Sequence, residues 1–211
     1  MNKNKGITKF FGKHTYNKLY TYDEFSELSE NEIKNADVNL LSDQEKIYLE
    51  YSKINLQRTT RIHKTFKPND NVVKLIMQFD KPQTWLMITE HWCGDSAQNL
   101  PYFVMYAKFN PLINIQIVLR DSNLEAIDDY FNSPTTRSIP KIIGFDENGD
   151  ELFIWGARPK IAEDLVMQLK AEGFSKEEFN EKLHLWYGRN RGKELEKEMI
   201  SLFSTLLKKI V

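Results

Sequence analysis

One side chain in this sequence can act as a soft nucleophile. Cys93 is the only cysteine among 211 residues, and it stands in the stretch EHWCGDSAQNLP, residues 90–101. As a thiolate it could attack disulfides or bind metal; as a buried thiol it is a small apolar group. Ala97, Leu100, Val104 and Ala107 recur at helical spacing just downstream, so the thiol sits on a helix's opening turn, where unpaired amides and the helix dipole favour the thiolate. Asp95, two residues on, brings a negative charge that opposes it. Ser96 can donate a hydrogen bond to a thiolate but cannot be oxidised to a disulfide. His91 and Cys93 together are too few for a metal site, so His91 is read as an exposed strand end. A lone cysteine forms no internal disulfide, which fits a reducing compartment, and its thiol works with another molecule or not at all.

The elements around Cys93 are marked by caps and periodicity. TYDE (Thr21 to Glu24) and SDQE (Ser42 to Glu45) read as capping boxes that start two helices, the second running to about Phe66 with Ile47, Tyr51, Ile54 and Ile62 on one face. A shorter helix starts near Asn69. TWLMIT (Thr84 to Thr89) has the length and apolarity of a strand buried on both faces and leads directly into Cys93. INIQIVLR (Ile113 to Arg120) alternates like a strand, SNLE (Ser122 to Glu125) opens a short helix, and KIIGF and ELFIW form a hairpin around DENGD, with Asn148 and Gly149 available for positive φ. Ile161, Leu165 and Leu169 mark a further helix after Pro159, and Ser175 caps a helical tail whose Leu195, Met199, Leu202 and Leu206 form an apolar stripe, packing on this chain or on a second copy. The central order is β, α, β, α, β, β, α. Trp155, Trp186 and Tyr187 are assigned to core packing.

This order, with a cysteine at the first helix's start, resembles the thioredoxin fold over roughly Gln83 to Lys170. WCG at Trp92 to Gly94 follows a buried strand, Pro101 lies inside the following helix, RSIPKIIGFDENGDEL (Arg137 to Leu152) matches the segment carrying the thioredoxin cis-proline, and Gly156 falls where the last strand yields to a helix. The resemblance implies a cis bond before Pro140 and a substrate surface made of Trp92, Gly94, Ile139 and Pro140 beside a catalytic set of Cys93, Ser96 and Asp95. The motif looks most like a thioredoxin-like bacterial family with Trp-Cys-Gly-Asp followed by Ser or Ala. Two departures matter: thioredoxins carry a resolving cysteine where this chain has Ser96, and a buried aspartate where it has Met87. Monothiol glutaredoxins are a weaker match, because Ser138 and Ile139 replace their Thr-Val. A peroxiredoxin is excluded by Glu90, three residues before the cysteine.

The expected fold class is therefore α/β, a thioredoxin-like mixed sheet flanked by helices. Residues 1–82 form a helical N-terminal extension, 83–172 the core and 173–211 a helical tail. With 29 Lys and Arg against 30 Asp and Glu, the net charge of -1 gives no reason to expect nucleic acid or an anionic membrane as partner. The charged start MNKNKGITKFFGKH lacks a signal-length apolar run, so a cytoplasmic protein is expected. No metal or other cofactor is expected, and the sequence carries no signal of oligomeric state. Two functions follow. In the first, a monothiol thiol-disulfide oxidoreductase uses Cys93 on protein or small-molecule disulfides, glutathione among them, with an external thiol resolving the intermediate. In the second, a non-catalytic module grips a peptide or protein segment in the groove between Cys93 and Pro140. A Cys93 pKa below the ordinary thiol value favours the first, and a raised one the second.

Overall fold

A computed structural model describes residues 18–124, 128 and 137–210 of the chain. The charged start and most of the helix expected from the Ser122 box lie outside the described residues. Along the chain run α1 (Tyr22–Asn35), a 3-10 turn (Val38–Leu40), α2 (Asp43–Thr65), α3 (Asp70–Ile76), β1 (Gln83–Thr89), α4 (Gly94–Ala107), β2 (Ile113–Leu119), β3 (Lys141–Phe145), β4 (Glu151–Trp155), α5 (Lys160–Ala171), α6 (Lys176–Asn190) and α7 (Lys193–Ile210).

The four strands make one mixed sheet in the order β2-β1-β3-β4. β1 pairs parallel with β2, from Gln83 opposite Ile113 to Thr89 opposite Leu119. A parallel neighbour requires a crossover, and α4 is that crossover, so Cys93 sits where β1 hands the chain to it. β3 is antiparallel to both β1 and β4. Tyr20 extends the β2 edge by exchanging main-chain hydrogen bonds with Ile117 at 2.9 and 2.8 Å.

All seven residues of β1 are buried, which is why the strand reads as a continuous apolar run. Its alternation feeds two cores. Trp85 and Met87 join Phe103, Phe153 and Phe203 on one face, whereas Leu86 and Ile88 meet Val118, Ile143, Ile139 and Cys93 on the other. Phe203, from α7, stacks on Trp85 with ring centres 5.6 Å apart. The tail therefore packs on this chain, with Leu195, Met199 and Leu206 buried beside it.

The capping boxes at Thr21, Ser42 and Ser175 are all formed, each side chain accepting from the third helical amide while the facing glutamate accepts from the cap's own amide. Pro101 lies inside α4 without breaking it. Proline has no N–H to offer the carbonyl of Ala97 four residues back, and Thr59 of α2 donates its hydroxyl to that oxygen instead, at 3.5 Å. Between α6 and α7 the chain turns through Arg191 at φ 53° and Gly192 at φ 82°, where a side chain on Gly192 would strike the Tyr102 ring.

Three local details go beyond the periodic pattern. Ile62 is buried on α2, but Ile47, Tyr51 and Ile54 are exposed; the face turned inward carries Ser52 and Asn55. Ile161 is exposed, and Ala162, Val166 and Leu169 make the buried face of α5. In the hairpin only Gly149 takes positive φ, because Asp146 organises a longer loop by accepting from the amides of Asn148 and Asp150, both at 2.8 Å. No helix among the described residues is long and apolar enough to cross a membrane.

Candidate functional site

Cys93 is the N-cap of α4. Its Sγ accepts from the Ser96 amide at 3.5 Å and donates to the Ile139 carbonyl oxygen at 3.3 Å. The Ile139–Pro140 peptide bond is cis; both residues are buried, and Ile139 packs in the same cluster as the thiol. Two segments 46 residues apart thus meet at one sulfur. Burial first, and then the charge of Asp95, pushes the Cys93 thiol up to about 11, with Ser96 pulling weakly the other way. At neutral pH the thiol is protonated. The Ser96 hydroxyl is buried and has no hydrogen-bond partner among the described residues.

Asp95 is held by residues far along the chain. Its Oδ2 accepts from Arg158 Nε at 3.1 Å and Nη2 at 2.6 Å, while its Oδ1 accepts from the Tyr187 hydroxyl at 2.6 Å. Asn99, one turn along α4, donates to the Tyr187 oxygen at 3.0 Å and to the Asp95 carbonyl at 2.8 Å. Arg158 is also bound by Glu163 at 2.7 Å. Burial opposes charge on Arg158, but Asp95 and Glu163 hold its pKa above the ordinary value. Burial and Asp95 raise that of Tyr187. The β4–α5 connection and α6 are thereby pinned to the first turn of the cysteine helix.

Trp92 stacks on Tyr48 of α2, with ring centres 4.6 Å apart and planes 11° from parallel, and the Arg120 guanidinium lies 4.8 Å from the same ring. The indole is a fixed wall rather than a free platform. Gly94 is needed because a methyl group there would lie 2.6 Å from the His184 ring. Burial, then Arg58 and Arg158, pushes His184 down to about 3, so this imidazole is neutral.

His91 is buried, contrary to the exposed strand end expected. Its Nδ1 is 2.8 Å from Glu32 Oε2, its Nε2 is 3.1 Å from the Phe25 carbonyl, and its ring lies against Phe25. Its own carbonyl accepts from Asn55 at 2.9 Å. Helices α1 and α2 thus clamp the residues leading into Cys93. Glu90 is buried as well; it accepts from the Asp121 amide at 2.6 Å, and burial raises it to about 7.

In front of Cys93 lies a cleft of about 600 Å³, walled by α2 on one side and α6 on the other, with Trp92 to Asp95 and Ile139 at its base. The structure gathers Trp92, Cys93, Gly94, Asp95 and Ile139 around it, with Ser96 directly behind the thiol. Sequence reasoning missed Arg58, Arg158 and His184, and it gave Tyr187 a packing role only. Tyr187 does pack, against Val166 and Leu183, while its hydroxyl reaches Asp95.

A family model described as Thioredoxin matches residues 41–171, more than half of the chain, and begins ahead of α2. No curated protein matches. Among solved structures, a protein of unknown function from Pseudomonas aeruginosa aligns with a TM-score of 0.50 at 15% identity, over 91% of this chain and 99% of that one. An HIV epitope-scaffold aligns at 0.48 and 15%, over 88% of this chain and 99% of that one.

Proposed function

The chain belongs to the Thioredoxin family whose model spans residues 41–171, and from that premise we propose that it is a binding module, which holds a peptide or protein segment in the cleft before Cys93 and does little thiol chemistry of its own. The observation that carries this reading is the state of the thiol. Cys93 is 7% exposed, donates to Ile139 and is pushed up to about 11 by burial, so the protonated thiol dominates at neutral pH. Ser96 supplies no resolving sulfur. The cleft in front of Cys93, by contrast, is about 600 Å³ and lined by α2, α6, Ser138 and Ile139.

A second reading is favoured by one contact, the Ser96 amide at Sγ, because a helix-start amide is what stabilises a thiolate. In that reading the Cys93 thiolate attacks one sulfur of a disulfide, forming a mixed disulfide and expelling the other sulfur as a thiolate. An external thiol then releases Cys93 by the same exchange. Incubation with oxidised glutathione at pH 7.4, followed by intact-mass measurement, separates the two. The binding module stays unmodified over an hour and acquires an adduct only at high pH; a monothiol oxidoreductase is modified within minutes.

A further inference from the structure

The α2 wall carries an apolar stripe that no described residue buries. Ile47, Tyr51 and Ile54 are 48%, 39% and 44% exposed, although their spacing of four and three residues puts them on one helical face. Tyr51 and Ile54 line the cleft, Ile47 continues the ridge beyond it, and Arg58, four residues after Ile54, lines the cleft as well. A clustered apolar stripe beside a functional cleft marks an interaction surface.

Arg58 is the specific part. It is half-buried, and its polar partner among the described residues is Asn55 Oδ1, to which Nη1 donates at 2.8 Å; it has no ion pair to a carboxylate among those residues. Its Nη1 lies 3.5 Å from where a side chain on Gly94 would begin, so the guanidinium faces the first turn of α4. Arg158 is neutralised by Asp95 and Glu163, and Arg120 by Asp121. Glu177 and Glu181 sit on the exposed rim, near Lys170 and Lys176. Arg58 is thus a cleft cation with no carboxylate in ion-pair contact among the described residues, and a guanidinium with free donors suits a carboxylate.

We infer that the occupant of the cleft is an extended polypeptide segment that places large apolar side chains on Tyr51 and Ile54 and a carboxylate on Arg58, rather than a small thiol such as glutathione. The inference rests on the binding reading above and adds the chemistry of the partner. The ridge from Ile47 to Ile54 is about 10 Å long at 1.5 Å per residue, and covering it together with the base at Cys93 takes several side chains on one chain.

The test is selection of a phage-displayed random decapeptide library on the full-length protein. Selected peptides are then synthesised and assayed for binding and for protection of Cys93 against alkylation at pH 9. The expected result is enrichment of sequences with Asp or Glu beside Leu, Ile or Phe. Arg58→Gln should weaken their binding by about tenfold while leaving their Glu→Gln counterparts unaffected, and Tyr51→Ser with Ile54→Ser, both at exposed positions, should weaken both peptides. Enriched peptides that protect Cys93 but carry no acid, or that bind Arg58→Gln equally well, overturn the inference and leave the binding reading standing. Failure of every selected peptide to protect Cys93 overturns both.

Discussion

The Sγ of Cys93 donates to the carbonyl oxygen of Ile139 across 3.3 Å, so the residue before Pro140 holds the thiol's proton in place. Forming the thiolate breaks this bond and places a charge beside Asp95 in a buried site. Family membership and a cysteine at a helix start both suggest a reactive sulfur, yet the local geometry opposes ionisation.

Asp95 should control both the thiol and the tail. In Asp95→Asn the Cys93 pKa falls from about 11, because the second contribution to its rise is removed, but burial remains the larger cause and keeps it above the ordinary thiol range. Arg158, whose side chain is 16% exposed, keeps only Glu163 as a counter-ion. Breaking such a pair is expected to cost about 1–3 kcal/mol, read from urea denaturation. Unchanged stability together with an unchanged thiol pKa would show that the Asp95 cluster is not what joins α6 to the cysteine helix.

Gly94→Ala tests the fit of α6 against α4. The new methyl would lie 2.6 Å from two atoms of the His184 ring, so the ring has to move toward solvent, with about 1–3 kcal/mol of stability lost to overpacking. Since burial is the main cause that pushes His184 down to about 3, its NMR titration midpoint should rise toward that of a free imidazole. A midpoint still near about 3, with stability intact, would contradict this packing.

Glu90 makes stability depend on pH in a stated direction. Its folded pKa is raised from 4.5 to about 7 by burial, so the native state holds this proton more tightly than the unfolded chain. The resulting stabilisation is full below about pH 4.5 and is lost as pH rises through about 7. Glu90→Gln keeps an acceptor for the Asp121 amide and removes the titration, so the wild type should lose about 1–3 kcal/mol more than the variant between pH 4.5 and 8. Parallel pH profiles for the two proteins would contradict it.

What could be read from the sequence was mostly local. Thr21, Ser42 and Ser175 announce their helices because a capping box is complete within four residues, and β1 shows itself by a continuous apolar run. The approach of Pro140 to Cys93 came from resemblance, not from periodicity. Arg158 and Tyr187 reach Asp95 from 63 and 92 residues away, and no spacing signal encodes such a meeting. Ile47, Tyr51, Ile54 and Ile62 read as one face of α2, yet only Ile62 is buried, because periodicity identifies a face but not what covers it. His91 failed for the converse reason: its cover comes from Phe25 and Glu32 on α1, whose docking position no local pattern shows.

The central claim is that Cys93 is a protonated, guarded thiol at the base of a binding cleft. The pH dependence of its alkylation by iodoacetamide, at fixed ionic strength and with the only cysteine as reporter, tests that claim most directly. The rate should keep rising through pH 9 toward a midpoint of about 11. A midpoint below about 8.5, the value of a free thiol, would contradict it and identify Cys93 as an activated nucleophile.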